Sequence, residues 1–282
     1  MVFEEIFNIN VAQKRPFISF FYGLIFTIIG LFVALLFFKR SLSLTTIFLI
    51  TLLLIPTLMK LIDIEEKRER KFGMKHFFRN HRDILEIYLF AFLGVFAGYV
   101  LIGMFLAASP TYDDVFSFQN SFLEGQEGLT SDLLFGFYQE KPEPSTVQLF
   151  GLISNNLLFV MVCFVLSLFY GASAIFLLIL NASVFASFMN FLLRNLASDW
   201  LASVKIFLFF LIHLIPEVAG FLLAAIAGGV VSKAVVSEKK GTKEFKNVIK
   251  DATLMLLIAF AFIVVGAILE VYVTTNLFYY FV

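Results

Sequence analysis

Long apolar runs alternate with short polar segments along the chain. About 20 apolar residues, rising about 1.5 Å each, cross a hydrocarbon core of about 30 Å. Each run of that length therefore predicts one membrane-spanning helix. The predicted spans are seven in number, at residues 17–38, 42–59, 84–107, 148–169, 171–193, 203–232 and 252–276. The predicted fold class is all-α, a polytopic transmembrane helix bundle.

The first and the sixth runs need separate interpretation. The first follows Lys14 and Arg15, as in a signal peptide, but it is too long for one and no small-residue cleavage site follows. We therefore interpret it as a membrane span. The sixth run is too long for a straight crossing and contains Pro216, which removes a backbone hydrogen bond and clashes with the preceding turn. A kinked or broken sixth helix is expected.

Charged residues are confined to the segments between the runs, and their sign predicts orientation. The segment 60–83 is basic and is predicted to be a cytoplasmic loop, and residues 233–251 hold six lysines against three acids. Residues 108–147 hold seven acidic residues against Lys141 alone and are predicted to be an extracytoplasmic loop. The N-terminus is then cytoplasmic and the C-terminus extracytoplasmic, in a multi-pass protein of the cell membrane. Lys39 and Arg40 disagree with this topology, which places them outside.

These features divide the chain into four regions. Residues 1–16 place Phe3, Ile6, Phe7 and Val11 at spacings near three and four, which predicts an interfacial N-terminal segment. Residues 17–107 form the first three spans. The acidic loop 108–147 is rich in phenylalanine and leucine, which favours short packed helices. Residues 148–282 form a four-span module.

Composition supports the membrane class and excludes others. Hydrophobic residues make up 60% of 282 and mean hydropathy is +0.93, more apolar surface than a soluble fold of this length buries. The formal net charge is zero and no basic face indicates nucleic acid. Cys163 is the only cysteine, so an intrachain disulfide is impossible. No nucleophile elbow, P-loop, dinucleotide fingerprint or paired-cysteine signature is present, and no cofactor is predicted.

Polar side chains inside the apolar runs are the candidate site. An amide or ionisable group at bilayer depth costs a few kcal/mol or more unless it has a partner. Measured from the predicted helix ends, each of these polar side chains lies between the bilayer centre and the outer third of the membrane. The candidates are Asn155, Asn156, Asn181, His213, Glu217 and Glu270.

Helical spacing groups these residues into stripes. His213 and Glu217 are four apart on a face that continues through Gly220 and Gly228, and Glu270 shares a face with Gly266. We expect these faces to meet around one interior site that binds a ligand or an ion. The alternative is structural, since asparagines often join membrane helices by hydrogen bonds. Whether a metal binds is left open; His76 and His81 are five apart, off one helical face, and do not favour a metal site.

Four stretches resemble the stage II sporulation protein M family and cover about the C-terminal half. They are Ser154–Leu157, Leu180–Ala182, His213–Glu217 with Ala225–Gly228, and Ala267–Thr274. In the family, glycine usually follows the histidine and the mid-helix asparagine. In this chain Leu214 follows His213 and Ala182 follows Asn181. The resemblance implies that the six polar residues form one recurring constellation. It also implies, for the namesake in spore formers, work with peptidoglycan-degrading partners during engulfment.

Two functional hypotheses follow. The leading one is a channel- or transporter-like protein whose interior site binds or conducts a proton, a cation or a small polar solute. The alternative is a non-enzymatic membrane scaffold that holds envelope-remodelling partners through its outer loop. An intramembrane hydrolase is disfavoured because Ser154, Ser167, Ser183 and Ser187 have no recognisable base beside them. The expected partners are the lipid bilayer and, if Gly94 and Gly98 pack between chains rather than within one, a second copy.

Overall fold

A computed structural model describes residues 9–72, 77–124, 145–237 and 241–281. Within these ranges the chain forms helices and no strand. The helices are α1 (Ile9–Lys14), α2 (Ile18–Phe37), α3 (Leu42–Phe72), α4 (Phe77–Phe105), α5 (Thr111–Glu124), α6 (Thr146–Phe169), α7 (Gly171–Leu196), α8 (Trp200–Ser237), α9 (Lys243–Ile268) and α10 (Thr275–Phe281). A 3-10 turn, Lys39–Ser41, precedes α3, and a π-helical turn, Leu269–Thr274, joins α9 to α10.

Seven helical segments are long and apolar enough to cross a membrane, within the described ranges. They correspond to the seven predicted runs, with α9, the π-helical turn and part of α10 forming the last. The all-α polytopic bundle is therefore confirmed, and the chain is a multi-pass membrane protein. The predicted spans 148–169 and 171–193 are separated in the structure by the single residue Tyr170, between α6 and α7.

Helix α8 lies at the centre of the bundle. Every residue from Glu217 to Val231 is buried, so this half of the helix is enclosed on all sides, as a helix that is apolar all round requires. It packs most extensively along α9 and α6 and also contacts α7, α3 and α4. Side chains of α8 from His213 onwards can therefore contact side chains of several neighbouring helices.

The helix pair α2 and α4 shows how the bundle closes. Apart from Phe26, the buried residues of α2 are small: Ser19, Gly23, Thr27, Gly30 and Ala34. A Cβ atom on Gly94 of α4 would lie 2.0 Å from the carbonyl oxygen of Phe20, and one on Gly98 would lie 2.8 Å from Thr27 Cβ. The Gly94–Gly98 pair thus serves helix packing within the chain. Large apolar residues of α2, including Phe21, Ile28 and Phe32, face outward.

Helix α5 belongs to the acidic segment and packs back onto the bundle. Val115 and Phe116 are fully buried, and two polar contacts fix the helix. Ser43 Oγ of α3 donates to Gln119 Oε1 at 2.6 Å, and Ser187 Oγ of α7 donates to Asn120 Oδ1 at 2.6 Å. The predicted packed helices are present in this part of the segment, while residues 125–144 lie outside the described ranges.

One prediction about boundaries needs correction. The segment 60–83 is not simply a loop, because α3 continues to Phe72 and α4 already begins at Phe77. Of the two alternatives predicted for the sixth helix, kinked or broken, the break is excluded, since α8 runs from Trp200 to Ser237 with Pro216 inside. The interfacial character predicted for residues 1–16 stays a prediction. Ile9–Lys14 form α1, in which Ala12 is fully buried, and Phe3, Ile6 and Phe7 lie outside the described ranges.

Candidate functional site

The six predicted polar residues line one cavity. A space of about 320 Å³ between α5, α6, α7, α8 and the π-helical turn is lined by Asn155, Asn156, Asn181, His213, Glu217 and Glu270. We call this space the polar cavity. The stripes inferred from helical spacing therefore meet as expected, and the ligand-binding role of the residues remains a prediction.

Helix α8 supplies the two most deeply buried polar groups. His213 is 6% exposed and Glu217 is 3% exposed, and their spacing of four residues stacks them on one face. Asn156 Nδ2 of α6 donates a hydrogen bond to Glu217 Oε1 at 2.9 Å. This interhelical bond is what the structural alternative predicts for an asparagine, yet it also holds the carboxylate at the cavity wall.

Glycine at position 266 makes room for the carboxylate. A Cβ atom there would lie 2.4 Å from Glu217 Cγ, far inside van der Waals contact. Helix α9 can therefore approach α8 at this level only because residue 266 has no side chain. The small-residue face predicted for the last span is thus the surface against which Glu217 packs.

Glu270 lies in a turn that departs from α-helical geometry. Residues Leu269–Thr274 form a π-helical turn, in which Thr275 N–H donates to the Glu270 carbonyl oxygen five residues earlier. Thr275 Oγ1 donates to the same oxygen at 2.9 Å. Thr274 Oγ1 lies 3.1 Å from His213 Nδ1, which ties the turn to α8. Such turns inside α-helices occur frequently at functional sites.

The asparagines differ in what they bond. Asn155 is exposed, while Asn156 and Asn181 are half-buried. Asn181 Nδ2 is buried and has no hydrogen-bond partner among the described residues. A buried donor without an acceptor costs about 1–3 kcal/mol, so this amide is available to a ligand in the cavity.

Phenylalanine rings form the apolar wall, and the sequence analysis missed them. Phe122, Phe159, Phe185, Phe188, Phe210 and Phe221 line the cavity. Phe210 contacts the His213 ring edge to face, with 5.0 Å between centroids. In a chain with 39 phenylalanines the residue type alone indicates lipid. The usable signal was spacing, since Phe185 and Phe188 follow Asn181 by four and seven residues on one helical face.

The cavity favours positive charge. Glu217 and Glu270 interact electrostatically, and no lysine or arginine is among the described residues that line the cavity. Two carboxylates in a largely apolar space are stabilised by a proton, a cation or hydrogen-bond donors. The cavity also lacks a serine among these lining residues, and Ser167, Ser183 and Ser187 donate hydrogen bonds elsewhere in the bundle.

Comparison with known proteins identifies one family. The model of the family described as Stage II sporulation protein M matches residues 87–275, a range that contains every residue of the predicted polar constellation. No curated protein and no solved structure matches the chain.

Proposed function

We propose, for a chain that belongs to the stage II sporulation protein M family, that the polar cavity binds and conducts a proton, a cation or a small polar solute. The observation that carries the proposal is the convergence of Glu217, Glu270 and His213 on one cavity between membrane helices. Intramembrane carboxylates that face a bundle interior typically mark ion or solute pathways.

The cavity wall supports a cation over an anion. Its two acidic side chains lack a basic neighbour among the described lining residues, and the faces of aromatic rings attract cations electrostatically. In the proposed topology, with a cytoplasmic N-terminus in the cell membrane, α5 covers the cavity from the extracytoplasmic side. The ligand would therefore enter past the acidic segment.

The test is a flux measurement in proteoliposomes. Wild-type protein, Glu217→Gln and Glu270→Gln are reconstituted, and internal dyes report proton, Na⁺ and K⁺ movement. We expect wild-type flux that either substitution abolishes while the folded protein still accumulates. Glu244→Gln makes the same chemical change at an exposed residue of α9 and should retain flux. Wild-type liposomes without flux, and without any ion-dependent rise in melting temperature, would count against the proposal.

The scaffold alternative is tested by a deletion within the acidic segment. Residues Val115 and Phe116 are core residues of the bundle, so removing all of α5 would damage the fold. Deleting residues 125–144 spares α5. If this deletion removes partner capture while flux-defective cavity variants remain harmless in cells, the scaffold hypothesis is favoured.

A further inference from the structure

A second buried polar cluster lies at the opposite end of the bundle from the polar cavity. Glu65 and Glu69 of α3 and His81 of α4 place their ligand atoms within 4.8 Å of one another. Their side chains are 1%, 0% and 4% exposed. Asp251 of α9, also 0% exposed, interacts electrostatically with His81 and Glu65. We call these four residues the inner cluster.

The inner cluster is separate from the polar cavity. Asp251 precedes Glu270 by nineteen residues, about 28 Å along a helix that rises about 1.5 Å per residue. None of the four residues lines the polar cavity. Glu65, Glu69 and His81 also lie before residue 87, where the family match begins.

Carboxylate oxygens in the inner cluster lack hydrogen bonds. Both oxygens of Glu69 and both oxygens of Asp251 are buried without a hydrogen-bond partner among the described residues. Glu65 contacts His81 Nδ1, and the same nitrogen lies 3.7 Å from Glu69 Oε1. Arg68 reaches Glu65 only at 3.8 Å. Ionised carboxylates buried with so little compensation are unfavourable unless a proton or a cation balances them.

The spacing of the groups suits a metal ion. Carboxylate oxygens and imidazole nitrogens bind first-row metals at about 2.0–2.2 Å, so two ligand atoms on one ion lie about 3–4 Å apart. Glu65 and Glu69 are four residues apart on one helical face, and His81 faces them from the next helix. Only small side-chain movements are needed to bring the three within bonding distance of a common ion.

We propose that Glu65, Glu69 and His81, with Asp251 as a fourth donor, bind one divalent transition-metal ion. A donor set of carboxylates with one imidazole suits Mn²⁺ or Zn²⁺ better than Mg²⁺ or Ca²⁺, which prefer oxygen ligands alone. The ligands come from α3, α4 and α9, so the ion cross-links three helices at this end of the bundle. The inference is independent of the function proposed for the polar cavity.

The test uses the full-length protein purified in detergent and stripped with a chelator. Titration with Mn²⁺ or Zn²⁺ should restore about one ion per chain and raise the melting temperature, because an ion that binds only the folded state stabilises it. Glu69→Gln should weaken binding by at least about 100-fold, since loss even of a group that merely orients a ligand costs roughly 10- to 100-fold. Without metal, Glu69→Gln should melt no lower than wild type, because neither oxygen of Glu69 has a hydrogen-bond partner to lose.

Two controls keep the result decisive. Glu86→Gln makes the same change at a partly exposed residue and should bind metal like wild type. Glu217→Gln alters the polar cavity and should also bind like wild type; if it loses the ion while Glu69→Gln keeps it, the metal lies in the cavity and the proposal is wrong. If Glu69→Gln does not accumulate, His81→Asn replaces it in the titration. Binding of Mn²⁺ is then followed by electron paramagnetic resonance and should be weaker than in wild type. Metal titration that leaves the wild-type melting temperature and metal content unchanged overturns the proposal.

Discussion

Glu217 occupies a position defined by its neighbours on two other helices. Asn156 donates to its carboxylate from α6, and Gly266 leaves the space on α9 that its side chain fills. Neither residue would stand out alone, because glycine and asparagine are both common in membrane helices. Together they fix where one carboxylate of the polar cavity points.

Replacing Gly266 with alanine should disturb this arrangement. The new Cβ atom would lie 2.4 Å from Glu217 Cγ, so the helices must separate or the carboxylate must move. We expect a loss of about 1–3 kcal/mol, as for other overpacked cores, measured as reduced resistance to denaturation in detergent. Gly151→Ala is the matched control, since nothing lies within 4 Å of a Cβ atom there. Equal stability of the two variants would contradict the close α8–α9 contact.

The sequence predicted the polar residues of the cavity but not their pairing. Asn155, Asn181 and Glu270 could be found because a polar group at bilayer depth is costly, whatever surrounds it. That Asn156 bonds Glu217 depends on how α6 is rotated against α8, which spacing within one helix does not encode. The phenylalanine wall was missed because the same side chain is equally suited to lipid and to a cavity lining.

At the scale of elements, α5 links the acidic segment to the membrane helices. Ser43 Oγ donates to Gln119 Oε1 and accepts from the Phe118 N–H at 3.3 Å. One hydroxyl of α3 thus satisfies two groups of α5. Since Phe122 and Leu123 of α5 line the polar cavity, this attachment also positions part of the cavity wall.

Ser43→Ala should loosen α5. The substitution leaves the buried Gln119 Oε1 without its donor, and an unsatisfied buried group costs about 1–3 kcal/mol. We expect faster amide hydrogen exchange across residues 111–124, with little change in α9. Ser117→Ala is the control. It removes an exposed hydroxyl of α5 that bonds the Asp114 carbonyl within the same helix, so it should leave exchange unchanged. Slow exchange in both variants would show that the contacts of Ser43 are not needed to hold α5 on the bundle.

Helix boundaries were harder to predict than helix identity. The criterion of about 20 apolar residues locates each span but stops where charges begin. Lysine, arginine and glutamate are good helix formers, so α3 continues past its apolar part through Glu65 and Glu69. The π-helical turn around Glu270 leaves no mark in the apolar pattern, although it is the part of the last span whose Thr274 contacts His213 of α8.

At the scale of the whole molecule, the charge distribution defines two different ends. Helix α5, the described part of the acidic segment, lines the polar cavity, and the two basic stretches of the sequence contain the residues of the inner cluster. The excess of lysine and arginine favours a cytoplasmic location for the end with the inner cluster. The predicted orientation follows from this asymmetry, with Lys39 and Arg40 as exceptions.

Cysteine labelling tests the orientation. A membrane-impermeant maleimide applied to intact cells should modify Asp113→Cys, which is exposed on α5. Glu244→Cys, exposed on α9, should react only after the membrane is permeabilised. Wild-type protein is the control, because its only cysteine, Cys163, is buried. The reverse pattern would invert the topology and place the polar cavity on the cytoplasmic side.

The number of spans could be predicted at this scale, whereas their arrangement could not. Seven apolar runs indicate seven helices, since each must satisfy its backbone hydrogen bonds internally in lipid. Which helix lies at the centre depends on contacts between distant segments. The length of the sixth run predicted a kinked or broken helix near Pro216, but it did not predict that the helix would be buried from Glu217 to Val231 as the central member of the bundle.

The arrangement of side-chain sizes on α2 has a consequence for how this protein can change over evolution. Its outward positions, such as Ile28 and Phe32, are more than half exposed, and a lipid environment accepts any large apolar residue there. Its inward positions, Gly23 and Gly30, stand where an added Cβ atom would come within 2.3 Å and 2.8 Å of a neighbour. Substitutions should therefore accumulate freely on the bulky face and be eliminated on the small one. In descendants of this sequence Gly23 and Gly30 should therefore be replaced more slowly than the large outward residues of α2.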